Sequence, residues 1–153
     1  MHRRSFIAMA ASALALRGGG VFAAPTERMT VYKDPNCGCC HEWSKAMAAA
    51  GYSVDARNTD DLAAVKARLG VPADLEGCHI AVIREYYLEG HVPLDAVQRL
   101  LRERPPVQGL AVPGMPSGSL GMGDDPQASY DVYAIPSGIG APYVFMEIRP
   151  PKG

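Results

Sequence analysis

The 153-residue chain has no apolar run near the roughly 20 residues that a membrane-crossing helix needs, so no spanning helix is expected. It has no Gly-X-Ser-X-Gly elbow and no Gly-rich phosphate loop, which leaves serine hydrolysis and nucleotide binding without a motif. It has no internal repeats. An excess of basic charge is also missing, because 15 Lys and Arg stand against 16 Asp and Glu. That balance argues against nucleic acid as a partner, since a nucleic-acid face must be basic. The paired acids Asp60-Asp61 and Asp124-Asp125 read as a helix start and a turn rather than as a catalytic dyad.

The N-terminus carries the marks of export. Arg3 and Arg4 open the chain, Ser5 to Leu16 is apolar and Ala-rich, and Val21-Phe22-Ala23 offers small residues for cleavage before Ala24. Arg3-Arg4-Ser5-Phe6-Ile7 also resembles a twin-arginine signal, although Sec signals carry paired arginines too. The expected organisation is an export signal peptide over 1–23 and a single domain over 24–153, located in the periplasm with no membrane anchor after cleavage. Removal of the signal takes three arginines and no acid, leaving 12 basic and 16 acidic residues.

Within the mature part, Met29–Lys33 reads as a strand rich in β-formers, broken by Asp34-Pro35-Asn36. A helix is expected over 41–50, with Trp43, Met47 and Ala50 on one stripe and Gly51 as its stop. A second strand follows over 52–57. Asn58-Thr59 is then placed to cap a helix whose stripe is Leu62, Val65 and Leu69. A third, central strand covers 79–83 and a short fourth covers 86–88. Pro93 opens a helix that buries Leu94, Val97, Leu100 and Leu101 and stops at Pro105-Pro106. Residues 105–126 form a long Gly/Pro/Met segment without periodicity, read as a loop. Residues 130–135 and 143–148 alternate around Ser137-Gly138-Ile139-Gly140 and predict a C-terminal β-hairpin. Alternating strands and helices predict an α/β sheet with flanking helices. A cysteine cluster between the first strand and helix is where thioredoxin-like folds carry their active site, an analogy at the level of fold.

Cys37-Gly38-Cys39-Cys40 is the most informative stretch. Free N–H groups and the dipole at a helix start favour thiolates, which are both nucleophiles and metal ligands. Three readings compete. Cys37 and Cys40 form a Cys-X-X-Cys pair suited to thiol–disulfide exchange, which leaves Cys39 unexplained. Structural disulfides suit an oxidising compartment, but a bridge between adjacent Cys39 and Cys40 strains the backbone. A soft-metal site uses all of the thiols, and adjacent cysteines suit several bridged Cu(I) ions better than one tetrahedral zinc. Cys78 enters the third strand, beside the first strand–helix turn of a thioredoxin-like sheet, where it would add a fourth sulfur. The ligand set of the metal reading is therefore Cys37, Cys39, Cys40 and Cys78.

Other side chains are auxiliary. His79 and His91 are placed to lie near the cluster, as ligands or proton carriers. His41 reads as exposed. Met115 and Met122 sit on the Gly/Pro segment, where no helical stripe explains them and a thioether is a soft donor. Such a loop could lid the site. Trp43, Met47 and Met146 read as core.

Four motifs in order carry a resemblance: Val31-Tyr-Lys-Asp-Pro-Asn-Cys-Gly-Cys-Cys40, Gly77-Cys-His79, Glu89-Gly-His-Val-Pro93 and Gly109-Leu-Ala-Val-Pro-Gly-Met-Pro116. Together they resemble domain-of-unknown-function family 411, which has periplasmic copper-resistance members, over Met29 to Met122. The resemblance implies a thioredoxin-like fold, copper as the bound metal, and Cys37, Cys39, Cys40 and Cys78 as its ligands. It also implies a role in copper handling or resistance, with redox activity left open and other periplasmic copper-handling proteins as partners. The chain departs from the family at Ile80, usually Thr, and at Gly118-Ser-Leu-Gly-Met-Gly123, usually Gly-Ser-Pro-Gly-Met-Glu. The expected function is thus periplasmic Cu(I) binding. The alternatives are a thiol–disulfide oxidoreductase using Cys37 and Cys40, or a zinc-stabilised structural module.

Overall fold

The computed structural model describes residues 27–151, so the export signal expected over 1–23 lies outside the described residues. The first strand, β1 (Arg28–Lys33), buries every second residue, Met29, Val31 and Lys33. It feeds helix α1 (Gly38–Ala49) and then strand β2 (Ser53–Asn58), which pairs parallel to β1. Helix α2 (Leu62–Leu69) and a 3₁₀ turn (Ala73–Leu75) lead to β3 (His79–Ile83), antiparallel to β1. Strand β4 (Tyr86–Gly90) returns beside β3. Helix α3 (Leu94–Glu103) then crosses to β5 (Val107–Val112), parallel to β4. Strands β6 (Tyr130–Pro136) and β7 (Tyr143–Ile148) complete one seven-stranded sheet in the order β2-β1-β3-β4-β5-β6-β7.

The sheet is covered on both faces, which explains why its central strands read as continuous apolar runs rather than as alternation. On one face α1 and α3 bury Trp43, Met47, Ala96, Val97 and Leu100 against Met29, Val31, Ile83 and Leu88. On the other, α2 and the 3₁₀ turn bring Val65 and Leu75 onto Ile80, Tyr87, Ala111 and Ile135. Each fully buried Leu, Val or Met contributes about 1.5–3 kcal/mol.

Three expectations are corrected. The stretch 105–126, read as a loop, contains β5, which lies between β4 and β6 and ties the C-terminal hairpin to the main sheet. Val107 to Val112 is buried apart from Gln108, so it shows no strand periodicity. Helix α1 begins at Gly38, three residues before the expected start, so Cys39 and Cys40 belong to its first turn. Helix α2 is capped by Asp61, whose Oδ1 accepts from Ala64 N–H at 3.0 Å, rather than by Asn58-Thr59. Thr59 instead supports the cap by accepting from Asp61 N–H at 3.2 Å.

Candidate metal centre

The site is built where β1 ends. Asp34-Pro35-Asn36 turns the chain, with Cys37 N–H donating to Asp34 O at 3.2 Å. Cys37 is the N-cap of α1, and its Sγ accepts from Cys40 N–H at 3.3 Å. A sulfur therefore occupies the position that Ser or Asp usually fills, against unpaired N–H groups at the positive end of the helix dipole. Cys40, one turn in, is fully buried. Cys37 and Cys40 are joined in a disulfide, with Cα atoms 5.4 Å apart. Cys39 and Cys78 are free thiols.

Cys78 stands at the entrance to β3, whose antiparallel pairing brings His79 opposite Lys33 at the end of β1. This register carries Cys78 to the start of α1. Its Sγ lies 3.7 Å from Cys39 Sγ and 3.5 Å from Cys40 Sγ, while Cys37 Sγ lies 3.5 Å from Cys39 Sγ. All four sulfurs fall within 4.8 Å of one another. The four cysteines read from the sequence are thus brought together, and two of them are oxidised.

Both histidines flank the same sulfur. His91 Nε2 is 3.0 Å and His79 Nδ1 is 3.4 Å from Cys78 Sγ. His91 Nδ1 is 2.7 Å from Leu120 O. A carbonyl only accepts, so Nδ1 carries the proton and Nε2 faces Cys78 with its lone pair. His79 is fully buried beneath the Trp43 ring, 4.6 Å between centroids, and its Nε2 has no hydrogen-bond partner. Trp43 is itself anchored by Nε1–H donating to Val92 O at 3.0 Å.

Burial dominates the electrostatics. It pushes the Cys78 thiol up to about 12, with Cys39 adding to the rise, so Cys78 is a protonated thiol until something displaces its proton. Ready ionisation is therefore not a property of the fourth cysteine. Burial, then the nearby His91, Lys66 and Lys33, pushes His79 down to about 3. Burial also lowers His91, partly opposed by the Leu120 carbonyl. Both imidazoles are neutral at physiological pH, the form that can ligate a metal.

Behind Cys78 lies an ion pair that the sequence reading missed. Lys66 Nζ donates to Glu89 Oε1 and to Gly77 O, each at 2.6 Å, and Gly77 N–H donates to Glu89 Oε1 at 2.6 Å. Lys66 and Glu89 are almost wholly buried. They clamp the peptide groups of Gly77, the residue before Cys78. A signal was present in the sequence: Lys66 falls four residues after Leu62 on the stripe of α2, and Glu89 opens a quoted motif.

His41 is exposed, as expected. Met115 is 56 % exposed and follows Gly114, which bridges to Gly77. Met122 is half-buried in a turn where its N–H donates to Ser119 O at 2.8 Å. The stretch after β5 packs on the start of α1. Gly121, at φ +92°, lies so close to α1 that a Cβ there would meet Cys39 O at 2.7 Å and Trp43 N at 2.9 Å.

No curated protein matches the chain. Residues 75–122 match the family described as "Protein of unknown function, DUF411". Two solved structures are similar over most of their length. "Copper resistance protein copG- Form 1" is 41% identical, with a TM-score of 0.74 over 80% of this chain and 97% of that one. "Copper resistance protein copG- Form 2" is 40% identical, with a TM-score of 0.75 over 80% and 98%. With this identity carried across nearly the whole of those relatives, the chain belongs to the DUF411 family, in the company of copper resistance protein copG.

Proposed function

We propose that this chain is a periplasmic copper-handling protein that binds Cu(I) through Cys37, Cys39, Cys40 and Cys78. The observation that carries the reading is the convergence of four sulfurs within 4.8 Å. Four soft donors with no carboxylate among them suit Cu(I), and the copper resistance titles of the similar structures point to the same metal. The strand order β2-β1-β3-β4, with β3 antiparallel, supports a thioredoxin-like core extended by β5 to β7. Copper is cargo in this reading. Loading begins with reduction of the Cys37–Cys40 disulfide by a dithiol, which supplies two electrons and two protons and is itself oxidised to a disulfide. Cu(I) then displaces the thiol protons. His79, His91, Met115 and Met122 serve as auxiliary groups around the sulfurs, the methionines on the covering loop. The Arg3-Arg4 leader directs export.

A second reading is favoured by one observation, the disulfide between Cys37 and Cys40. Cys37 is partly exposed and Cys40 is buried, so an incoming thiolate reaches Cys37 first, as a thiol–disulfide oxidoreductase requires.

The test is to reduce the protein anaerobically, titrate it with Cu(I) and count protected thiols. The copper reading expects all four thiols protected and a sharp loss of copper in Cys39→Ser. Unchanged copper stoichiometry in Cys39→Ser would overturn it. The oxidoreductase reading expects insulin reduction that survives Cys39→Ser and is lost in Cys37→Ser.

A further inference from the structure

We propose that Cys78, His79 and His91 form a second coordination site, which takes a borderline divalent cation such as Zn(II) while Cys37 and Cys40 are joined. The site shares Cys78 with the copper reading but does not depend on copper binding. Oxidation of Cys37 and Cys40 removes two of the four sulfurs as ligands. It leaves Cys78 with two imidazole nitrogens at 3.0 and 3.4 Å, and the three ligand atoms lie within 4.8 Å of one another. Zinc–sulfur and zinc–nitrogen bonds of about 2.3 and 2.0–2.1 Å separate tetrahedral ligands by about 3.5 Å. The observed spacing is near that value.

The histidines are prepared as ligands in two different ways. His91 is oriented from behind by Leu120 O at 2.7 Å, the carbonyl contact that fixes the tautomer of a metal-binding imidazole. His79 makes no hydrogen bond through its buried Nε2, and its Nδ1 contacts only the Cys78 sulfur. Its ring is held by Trp43 instead, and the two histidine rings meet edge to face with centroids 5.2 Å apart. A site with two nitrogens and one sulfur suits a borderline divalent ion better than Cu(I). Cys39, 3.7 Å from Cys78, or solvent completes the shell. Redox state at Cys37 and Cys40 would then choose between two metals at one shared sulfur.

The test uses the full chain with the Cys37–Cys40 disulfide and two free thiols verified by mass spectrometry. It is titrated with Co(II), then with Zn(II) in competition. The expected result is one Co(II) per chain, with a sulfur-to-cobalt charge-transfer band and intense visible bands of a four-coordinate ion. His91→Ala should weaken binding about 100-fold or more, while His41→Ala should leave it unchanged. His79 is buried beneath Trp43, so its role is read in the unaltered protein from the ¹⁵N shifts of the imidazoles. His79 Nδ1 and His91 Nε2 should both move on adding Zn(II). No uptake of Co(II) or Zn(II), unchanged affinity in His91→Ala, or unmoved ring nitrogens would each overturn the proposal. Cu(I) uptake by the reduced chain is a separate measurement, so failure here leaves the copper reading standing, and the converse holds.

Discussion

Replacing Lys66 by Met tests whether the buried ion pair holds the fourth cysteine's approach in place. Lys66 and Glu89 sit in the interior with side chains 3 % and 0 % exposed. Burial raises the Glu89 carboxyl, while the Lys66 hydrogen bond, then that of Gly77 N–H, holds it down. In Lys66→Met the carboxylate keeps only the Gly77 N–H, and Oε2 already has no partner. Gly77 O loses its donor as well. Removing one member of a buried pair typically costs about 3–5 kcal/mol. That is a large fraction of the roughly 5–15 kcal/mol that holds a domain folded. Glu76, 3.8 Å from Lys66 and half-exposed, contributes little to this cost. The assay is equilibrium urea unfolding followed by the fluorescence of Trp43, the sole Trp and fully buried. The transition should move to lower urea with its slope unchanged. Adding Glu89→Gln to Lys66→Met removes the stranded charge yet keeps an acceptor for Gly77 N–H, and should restore roughly half of the loss or more. A loss under about 1 kcal/mol in Lys66→Met, or no recovery in the double variant, would refute the reasoning.

Three further predictions concern the same region. His79 titrates at about 3 in the folded chain against an ordinary value of 6.5, so the unfolded chain binds the extra proton between those limits. Its contribution is complete above pH 6.5 and falls by about 1.4 kcal/mol per pH unit as pH drops through that window. The metal-free unfolding curve of His79→Gln should lack this slope, and identical slopes in both proteins would contradict it. Gly121→Ala should cost about 1–3 kcal/mol, because φ is +92° and the new Cβ meets α1 backbone. It should also speed the reaction of Cys39 with a thiol reagent, since the loop must lift off the helix start. Tyr87→Phe deletes a buried hydroxyl that has no partner, so thermal melts should show stability unchanged or raised by up to about 1 kcal/mol.

Much of the site could be read from the sequence because its chemistry is local: three cysteines sit at a strand-to-helix turn, and Cys78-His79 opens a strand of five apolar-rich residues. What escaped depends on contacts across the sheet. Strand β5 was hidden because both of its faces are covered and because Gly109 lies against Tyr87, where a Cβ would meet Tyr87 O at 2.3 Å. A glycine required for close approach mimics a loop glycine in the sequence. The state of the cysteines was also out of reach, since spacing alone permits Cys37 and Cys40 to be either a disulfide or two ligands. Lys66 and Glu89 went unread as a pair because each is satisfied by a residue at a distance in sequence, Glu89 for Lys66 and Gly77 for both.

Residues 113–129 leave the end of β5, run over the helix start at Leu120 and Gly121, and return as β6. The stretch that packs on the helix start is therefore tied at both ends to the outer half of the sheet and pinned between them to Gly77, beside Cys78. Prising β6 away from β5 would therefore pull on this stretch where Gly121 meets the backbone of α1. The outer strands, which carry no cysteine, are thereby coupled to the start of α1.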